Sequence, residues 1–337
     1  MTPTLNCPEC QAVVQDYEAF CQSCGARLSP TAAPPTQAAA SADPPSSQTR
    51  RLVERASQAT LCLRCGGRVD ADGYCGQCGA KAPSERDHFE AAPADWVAGV
   101  CDRGQAHAVN EDAMALWADA DRAVLVVCDG VSSSSDSARA ALAAAEAALG
   151  TLGNAVSTPE SDLDAAFAAA ASHANLAVLE ASGSQPDNPP ASTIAIATVT
   201  ADGVRFGGVG DSRVYWLGPQ PRCLTADDSV AAELIGQGVP REVAEESPQA
   251  HAITRWLGQG TPGADPRVGR FQPDGPGWLL VCSDGLWNYA SSAEELAELV
   301  ASLGGDDPAA LARQLVKWAN QRGGHDNITA ALARVRP

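Results

Sequence analysis

From Trp96 onward the chain alternates short, densely apolar runs with Ala-rich stretches. WVAGVCD and AVLVVCDG (residues 123–130) are Val-rich and end at or beside an Asp, which predicts buried strands whose carboxylates emerge at a sheet edge. Residues 137–150, SARAALAAAEAALG, read as a helix stopped by Gly150, and residues 161–182 as a second. STIAIATVT and GVRFGGVGDSRVYWLG alternate as a hairpin around Ala201-Asp202-Gly203. Trp278–Cys282 is another strand, running into Ser283-Asp284-Gly285. Helices are predicted over 292–304 and 308–322, and ITAALARV closes the chain as a last strand. Strands and helices come in runs rather than in strict βαβ alternation, so an α+β layered domain is expected.

The pattern before Trp96 is different. Eight of the twelve cysteines fall before residue 80, in two copies of one spacing. The first is Cys7-x2-Cys10, ten residues, Cys21-x2-Cys24. The second is Cys62-x2-Cys65, nine residues, Cys75-x2-Cys78. Gly25, Gly66 and Gly79 follow three of the four pairs, where a positive φ aims backbone N–H groups at sulfur. Four thiolates in so short a segment suit a closed tetrahedral Zn²⁺ site, with the metal standing in for a core. An iron centre or disulfides are the alternatives. The segments resemble the double zinc ribbon, and two structural Zn²⁺ are expected.

Cys21-x5-Arg27 and Cys62-x5-Arg68 also fit the loop spacing of cysteine-based phosphatases. Those thiols belong to the quartets, however, and no strand–loop–helix pattern surrounds them. The expected division is ribbon 1 at 1–28, a Pro/Ala-rich linker at 29–58, ribbon 2 at 59–83, a short linker at 84–94 and a large domain at 95–337.

Composition and charge narrow the choice. The 337 residues are 45% hydrophobic and 19% charged, enough for a sizeable core. The net charge of -18 disfavours nucleic acid or an anionic membrane as whole-protein partners. Residues 1–94 carry a net of only -2, with no basic stripe for reading nucleic acid. No apolar run approaches the ~18 residues of a membrane span. MTPTLNCPEC has neither the charged nor the apolar region of a secretory leader, so a cytoplasmic protein is expected.

The acids carry the chemistry. Asp129, Asp211, Asp284 and Asp326 each sit at a predicted strand end beside Gly or Asn, and Asn110-Glu111-Asp112 adds two more on a loop. Carboxylates gathered at one sheet edge raise one another's pKa unless cations neutralise them. Oxygen-only donors select Mg²⁺ or Mn²⁺. Any one Asp-Gly is an ordinary turn; the ordered set is not.

That ordered set resembles the metal-dependent serine/threonine phosphatases of the protein phosphatase 2C type. The matching stretches are Asp102-Arg103-Gly104 with Asn110-Glu111-Asp112, Cys128-Asp129-Gly130, Gly210-Asp211-Ser212-Arg213, Ser283-Asp284-Gly285 and His325-Asp326-Asn327-Ile328. The resemblance implies a four-layer α-β-β-α sandwich with a binuclear Mn²⁺ or Mg²⁺ centre at one end. Asp129 would bridge both ions, the Gly130 carbonyl and Glu111 would complete one, and Asp284 with Asp326 would hold the other. Asp112 would stand behind the ligands, and Asp211 with Asp284 would take a weaker third ion. The implied reaction is attack of a metal-activated water on phosphoserine or phosphothreonine of proteins, without a phospho-enzyme.

Two departures stand out. His107 replaces an Arg that grips the substrate phosphate in many members, leaving that task to His107, another Arg or the metals. Val131 replaces a His that some members offer as leaving-group acid, leaving water or His325. Val131-Ser132-Ser133-Ser134-Ser135 are expected to rim the site, to cap the helix from 137, or both, and residues 219–262 fit either a mobile flap or a plain surface insertion. Cys128 and Cys282 read as small buried hydrophobes. The ribbons are expected to dock the phosphatase onto a protein partner such as a serine/threonine kinase or its assembly. The alternative is a catalytically weak phosphoprotein-binding module of such an assembly.

Overall fold

The computed structural model describes residues 4–6, 13–15, 65–70, 73–79, 81–82 and 84–336, the last with short breaks at 159, 182–186, 241–242, 245–248, 251 and 262. The chain divides into two units, Met1–Ser84 and Glu85–Pro337. In the first, β1 (Thr4–Asn6) pairs antiparallel with β2 (Val13–Gln15). Cys7, Cys10, Cys21, Cys24 and Cys62, and the linker expected at 29–58, lie outside the described residues.

The second unit holds β3 (His88–Ala94), β4 (Val97–Asp102), β5 (Ala113–Ala118), β6 (Ala123–Cys128), β7 (Ala191–Ser192), β8 (Ile194–Thr200), β9 (Gly203–Val209) and β10 (Arg213–Leu217). It continues with β11 (Arg222–Cys223), β12 (Leu257–Gly258), β13 (Gly269–Phe271), β14 (Gly277–Cys282) and β15 (Ile328–Val335). The described helices are α1 (Ser137–Ser157), α2 (Leu163–Ala181), α3 (Val230–Gly236), α4 (Asp284–Trp287), α5 (Ala293–Leu303) and α6 (Pro308–Gln321).

Two antiparallel sheets form the middle layers. One has the order β11-β10-β14-β15-β4-β3, the other β13-β9-β8-β6-β5. Both faces of each sheet are covered, which is why the central strands read as unbroken apolar runs. Along β6, Leu125 and Val127 face the opposite sheet, with Val281 and Ala331, while Val124, Val126 and Cys128 face the helices. β14 repeats the alternation, with Leu279 and Val281 inward and Leu280 and Cys282 toward α4–α6. α1 and α2 cover the five-stranded sheet, and α4, α5 and α6 the six-stranded one. The four-layer α-β-β-α sandwich expected from the resemblance is the fold observed.

Three local expectations are corrected. α1 does not stop at Gly150; it runs to Ser157, because Leu152 and Val156 continue the stripe that Ala141, Ala144, Ala145 and Ala148 bury. Residues 84–94 are not a linker. His88–Ala94 form the edge strand β3, paired with β4 from His88↔Asp102 onward, and Phe89 and Ala91 pack on the inter-sheet core. The run 203–218 is not one strand. β9 pairs in one sheet and β10 in the other, and the chain crosses between them at Gly210-Asp211-Ser212, where Gly210 takes φ 97°.

The expected hairpin is present, with Thr200 opposite Gly203 around Ala201-Asp202. α5 starts at a capping box of Ser292 and Glu295, and α6 at an Asp307 cap followed by Pro308. The 219–262 region contains α3 and a small apolar cluster of Ala231, Ala244 and Ala250.

Candidate metal centre and active site

The acids converge because strand ends converge. Asp129 follows β6, Asp284 follows β14, Asp326 precedes β15 and Asp211 lies in the crossing between sheets. Asn110-Glu111-Asp112 leads into β5. Their mutual field is visible in their acidities. The Asp129 carboxyl is held well above the usual carboxylate range by desolvation, then by Asp112, Asp284, Asp326 and Asp211. Desolvation and then Asp326 push Asp284 up to about 7, partly offset by the amide of Asn288. Asp112 is pushed up to about 8, mainly by burial. Asp211 is raised by burial and then by Asp284. Five carboxyl groups on separate elements thus share one electrostatic site.

Hydrogen bonds aim each acid. Asp112 is fully buried, and its Oδ2 accepts from Ser283 Oγ at 2.6 Å and Thr329 Oγ1 at 2.7 Å. Asp129 is held through its backbone: its N–H donates to Thr193 Oγ1 at 3.1 Å, and its carbonyl accepts from the Thr193 amide at 2.8 Å and from Ser192 Oγ at 3.0 Å. The Glu111 carboxylate accepts from Ser132 Oγ at 2.6 Å and from Ser137 Oγ. Asn327 clamps the Glu111 loop: its Oδ1 accepts from the Glu111 amide at 2.7 Å, while Nδ2 donates to the carbonyls of Arg103 and Val109 at 2.8 and 3.1 Å.

Two glycines are sterically required. A Cβ on Gly130 would lie 2.8 Å from the carbonyl oxygens of both Glu111 and Ser137, and one on Gly285 would lie 2.0 Å from the carbonyl oxygen of Asn327.

The cluster suits hard divalent cations. Asp112 Oδ1 and Asp284 Oδ1 are buried with no hydrogen-bond partner. A buried, unsatisfied carboxylate oxygen is costly, and a cation is what compensates it. The donors are all oxygens, the set Mg²⁺ and Mn²⁺ prefer.

His107 lies against the acids. Its Nε2 is 3.4 Å from Asp326 Oδ1 and its Nδ1 4.0 Å from Glu111 Oε2. Val131 offers no side-chain proton, and the exposed His325 makes no side-chain bond to the carboxyl cluster among the described residues. Of the serine loop, Ser132 reaches Glu111, whereas Ser134 and Ser135 bond to the backbone of Val131 and Asn188. Asp136 precedes α1 without a side-chain cap. Cys128 and Cys282 are buried thiols on the helix-facing sides of β6 and β14, and burial raises both pKa values.

Nothing in the sequence motifs gives Ser283, Thr329, Thr193 or Asn327 a task of its own. The available signal was a hydroxyl inside an otherwise apolar strand, as Thr329 is in ITAALARV.

In the ribbon unit, Cys65, Cys75 and Cys78 present sulfurs all within 4.8 Å of one another. The Sγ atoms of Cys65 and Cys75 are 3.5 Å apart, and the Gly67 amide points at Cys65 Sγ at 3.4 Å. Gly66 and Gly79 take φ of 73° and 69°, as the knuckle requires. The Cys75 thiol is lowered, first by the backbone amide of Cys78. Three sulfurs gathered in this way suit Zn²⁺.

Comparison with known proteins finds a match for each of the two units. Residues 103–320 match the protein phosphatase 2C model and residues 7–87 the double zinc ribbon model. The chain belongs to the protein phosphatase 2C family. Protein phosphatase PhpP of Streptococcus pneumoniae is 36% identical over 144 residues, 42% of this chain and 56% of PhpP, so the match spans just over half of that relative. Among solved structures, the serine/threonine phosphatase MsPP of Mycobacterium smegmatis, in complex with cacodylate, is 31% identical with a TM-score of 0.57, covering 70% of this chain and 97% of that one. PstP/Ppp of Mycobacterium tuberculosis is 26% identical with a TM-score of 0.60, covering 74% and 99%. A structure of the PstP catalytic domain holds two manganese ions; it is 25% identical, with a TM-score of 0.58 over 74% and 99%.

Among the described residues, no helix is long and apolar enough to cross a membrane.

Proposed function

We propose that the Glu85–Pro337 unit hydrolyses phosphoserine and phosphothreonine on proteins with two bound Mn²⁺ or Mg²⁺, and that the ribbon unit, carrying two structural Zn²⁺, is its docking adaptor. The observation that carries this is the convergence of Asp112, Asp129, Asp211, Asp284 and Asp326, with Asp112 Oδ1 and Asp284 Oδ1 buried and unpartnered; burial first and then the neighbouring carboxylates raise Asp129 well above its usual range, and divalent charge would relieve both. Asp129, the Gly130 carbonyl, Glu111, Asp284 and Asp326 are the groups that would hold the two ions, and Asp211 with Asp284 a weaker third. Such ions supply acidity to a water and charge neutralisation to the phosphoryl oxygens.

The chain's own residues do the positioning. Asp112, held by Ser283 and Thr329, sits behind the ligands and ties the loop before β5 to β14 and β15. Ser132 and Ser137 orient Glu111. His107 faces Glu111 and Asp326, so its first task is to hold those carboxylates, with the substrate phosphate its second. Cys128 and Cys282 do not serve as nucleophiles, since both are desolvated and held as thiols. Cysteine quartets kept as metal ligands suit a reducing compartment, which supports the cytoplasm as the proposed location. Phosphoproteins are its partners.

The test is hydrolysis of a phosphothreonine peptide with Mn²⁺, with and without chelator, by the native chain and Asp129→Ala. Turnover that survives chelation or the substitution removes the reading.

A further inference from the structure

Two consecutive acids, Asp227 and Asp228, hold the backbone around Asp211 from opposite sides. On one side, the Asp228 amide donates to the Gly210 carbonyl at 2.8 Å, and the Gly210 amide donates to Asp228 Oδ2 at 3.1 Å. On the other, Asp227 grips the guanidinium of Arg213. Arg213 Nε donates to Asp227 Oδ1 and Oδ2 at 2.9 and 3.1 Å, and Nη2 donates to Oδ2 at 2.6 Å. That guanidinium lies 3.5 Å over the ring of Trp287, and Trp287 Nε1 donates to the Asp211 carbonyl at 2.9 Å. Between the two holds, Ser212 Oγ meets Thr193 Oγ1 at 2.7 Å, the hydroxyl that also accepts from the Asp129 amide.

Both acids are themselves fixed. Asp228 is buried, and its carboxylate also meets Arg255 Nη1 at 3.2 Å and Arg267 Nη2 at 2.7 Å. Its carbonyl accepts from the Thr254 amide at 2.7 Å. The excursion that begins with α3 therefore leaves at Ser229 and returns at Thr254, and Asp228 pins both ends. The Arg213–Asp227 pair is buried as well, and Arg213 Nη1 donates onward to the Ser291 carbonyl at 3.1 Å. A buried acid matched by guanidinium groups has one arrangement, and charge-assisted bonds keep it there.

None of these donors touches the Asp211 carboxylate. They fix the peptide units before and after it, in the tight crossing where the chain passes from one sheet to the other. The field of Asp284 acts on Asp211, and Asp284 Oδ1 is buried with no hydrogen-bond partner. Groups behind a metal's ligands that fix how those ligands point govern its affinity.

We infer that Asp227 and Asp228 are positioning residues for the cation that Asp211 shares with Asp284: they fix the crossing at 210–213 and so aim the Asp211 carboxylate, while touching neither ion nor substrate. This rests on the reading that the carboxylates bind Mn²⁺ or Mg²⁺, and it names what sets the weaker third site of that reading.

The test uses the full chain with Mn²⁺ as probe and no substrate. Calorimetry separates the tightly held ions from the weaker one, and the melting temperature in chelator reports stability on its own. Asp228→Asn and Asp227→Asn each remove a charge at nearly constant volume. Either should weaken the weaker Mn²⁺ about tenfold and the tight pair less than about twofold. Trp287→Phe changes no charge, keeps a ring under Arg213 and removes only the bond to the Asp211 carbonyl. It should weaken the same ion about threefold. In an Asp211→Asn background, which has lost that site, adding Asp228→Asn should change Mn²⁺ binding less than about twofold.

A native chain with no Mn²⁺ beyond a tight pair overturns the inference. So does a melting temperature that falls in the Asp variants with the weaker ion unchanged, an equal weakening of all the ions, or an effect of Asp228→Asn as large without Asp211 as with it. If the Asp variants do not fold, an unchanged weaker site in Trp287→Phe overturns it alone. A chain that shows these shifts yet hydrolyses no phosphopeptide supports the positioning roles and refutes the phosphatase reading alone.

Discussion

The cysteine trio of the ribbon unit and the carboxylate cluster of the large unit both gather donors that suit a metal, and they are assembled in opposite ways. Cys65, Cys75 and Cys78 lie within fourteen positions of one another and are brought together by two glycine-assisted turns. Asp112, Asp129, Asp284 and Asp326 come from a loop and three strand ends, on both sheets, across more than two hundred positions. In the ribbon a metal would organise the chain, because so short a segment has little apolar surface to bury. In the large unit a four-layer core organises the chain first and forces the acids together, at an electrostatic cost that metal relieves. On the function proposed, the contrast is between a metal that would fold a segment and metals that would do chemistry in an existing fold.

The largest effects should come from breaking each site alone. Asp129→Ala should take Mn²⁺-dependent hydrolysis to background, a loss of at least about a hundredfold, while elemental analysis still finds about two zinc per chain. Cys75→Ser should do the reverse, lowering zinc to about one while turnover persists at saturating Mn²⁺. If Asp129→Ala sheds zinc, or Cys75→Ser abolishes turnover at saturating Mn²⁺, the two sites are not the separate objects described.

Next in size is the boundary. A chain starting at residue 85 should fold and bind Mn²⁺ without zinc. A chain starting at residue 95 lacks β3, exposes the edge of β4 and loses the packing of Phe89 and Ala91. It should be less stable by at least about 3 kcal/mol in urea unfolding. Equal midpoints for the two would return residues 84–94 to the status of a linker.

The two sites should also answer pH in opposite senses. Asp112 and Asp284 have folded values of about 8 and about 7 against 3.8 unfolded. The metal-free fold therefore holds their protons more tightly. That contribution is fully present below about pH 4 and is lost as pH rises through about 7 to 8. Thermal unfolding of chelator-treated residues 85–337 should show the melting temperature falling over that window, and Mn²⁺ should flatten the fall. Zinc retention by the ribbon should instead fail on acidification, as its thiolates are protonated. A metal-free melting temperature that rises from pH 5 to 8 would contradict the desolvated cluster.

The smallest effect tests how the cluster is held. Ser283→Ala removes one of two hydroxyls on Asp112 Oδ2 and should cost about 1–2 kcal/mol of stability, with weaker Mn²⁺ binding as a secondary effect. Thr329→Val should act similarly. Neither should alter zinc content.

How far each site was legible follows from the same contrast. The cysteine quartets were readable as spacing alone, since a knuckle is a local turn whose sulfur separation depends on a few dihedrals and a glycine. The acids were readable only as an ordered set: an isolated Asp-Gly says nothing, and what binds five of them into a site is long-range strand pairing. The apolar runs likewise determined which segments become strands and helices, because burial on both faces leaves a local signature. The tertiary structure alone decided that α1 passes through Gly150, where packing of Leu152 and Val156 outweighs a glycine's propensity. It decided that a polar stretch at 88–94 joins a sheet, because its partner strand β4 supplies the ladder. And it alone placed Ser283, Thr329 and Asn327 against the metal loop, since a hydrogen bond between residues more than two hundred positions apart, as between Asn327 and Glu111, leaves no trace in the local pattern of the chain.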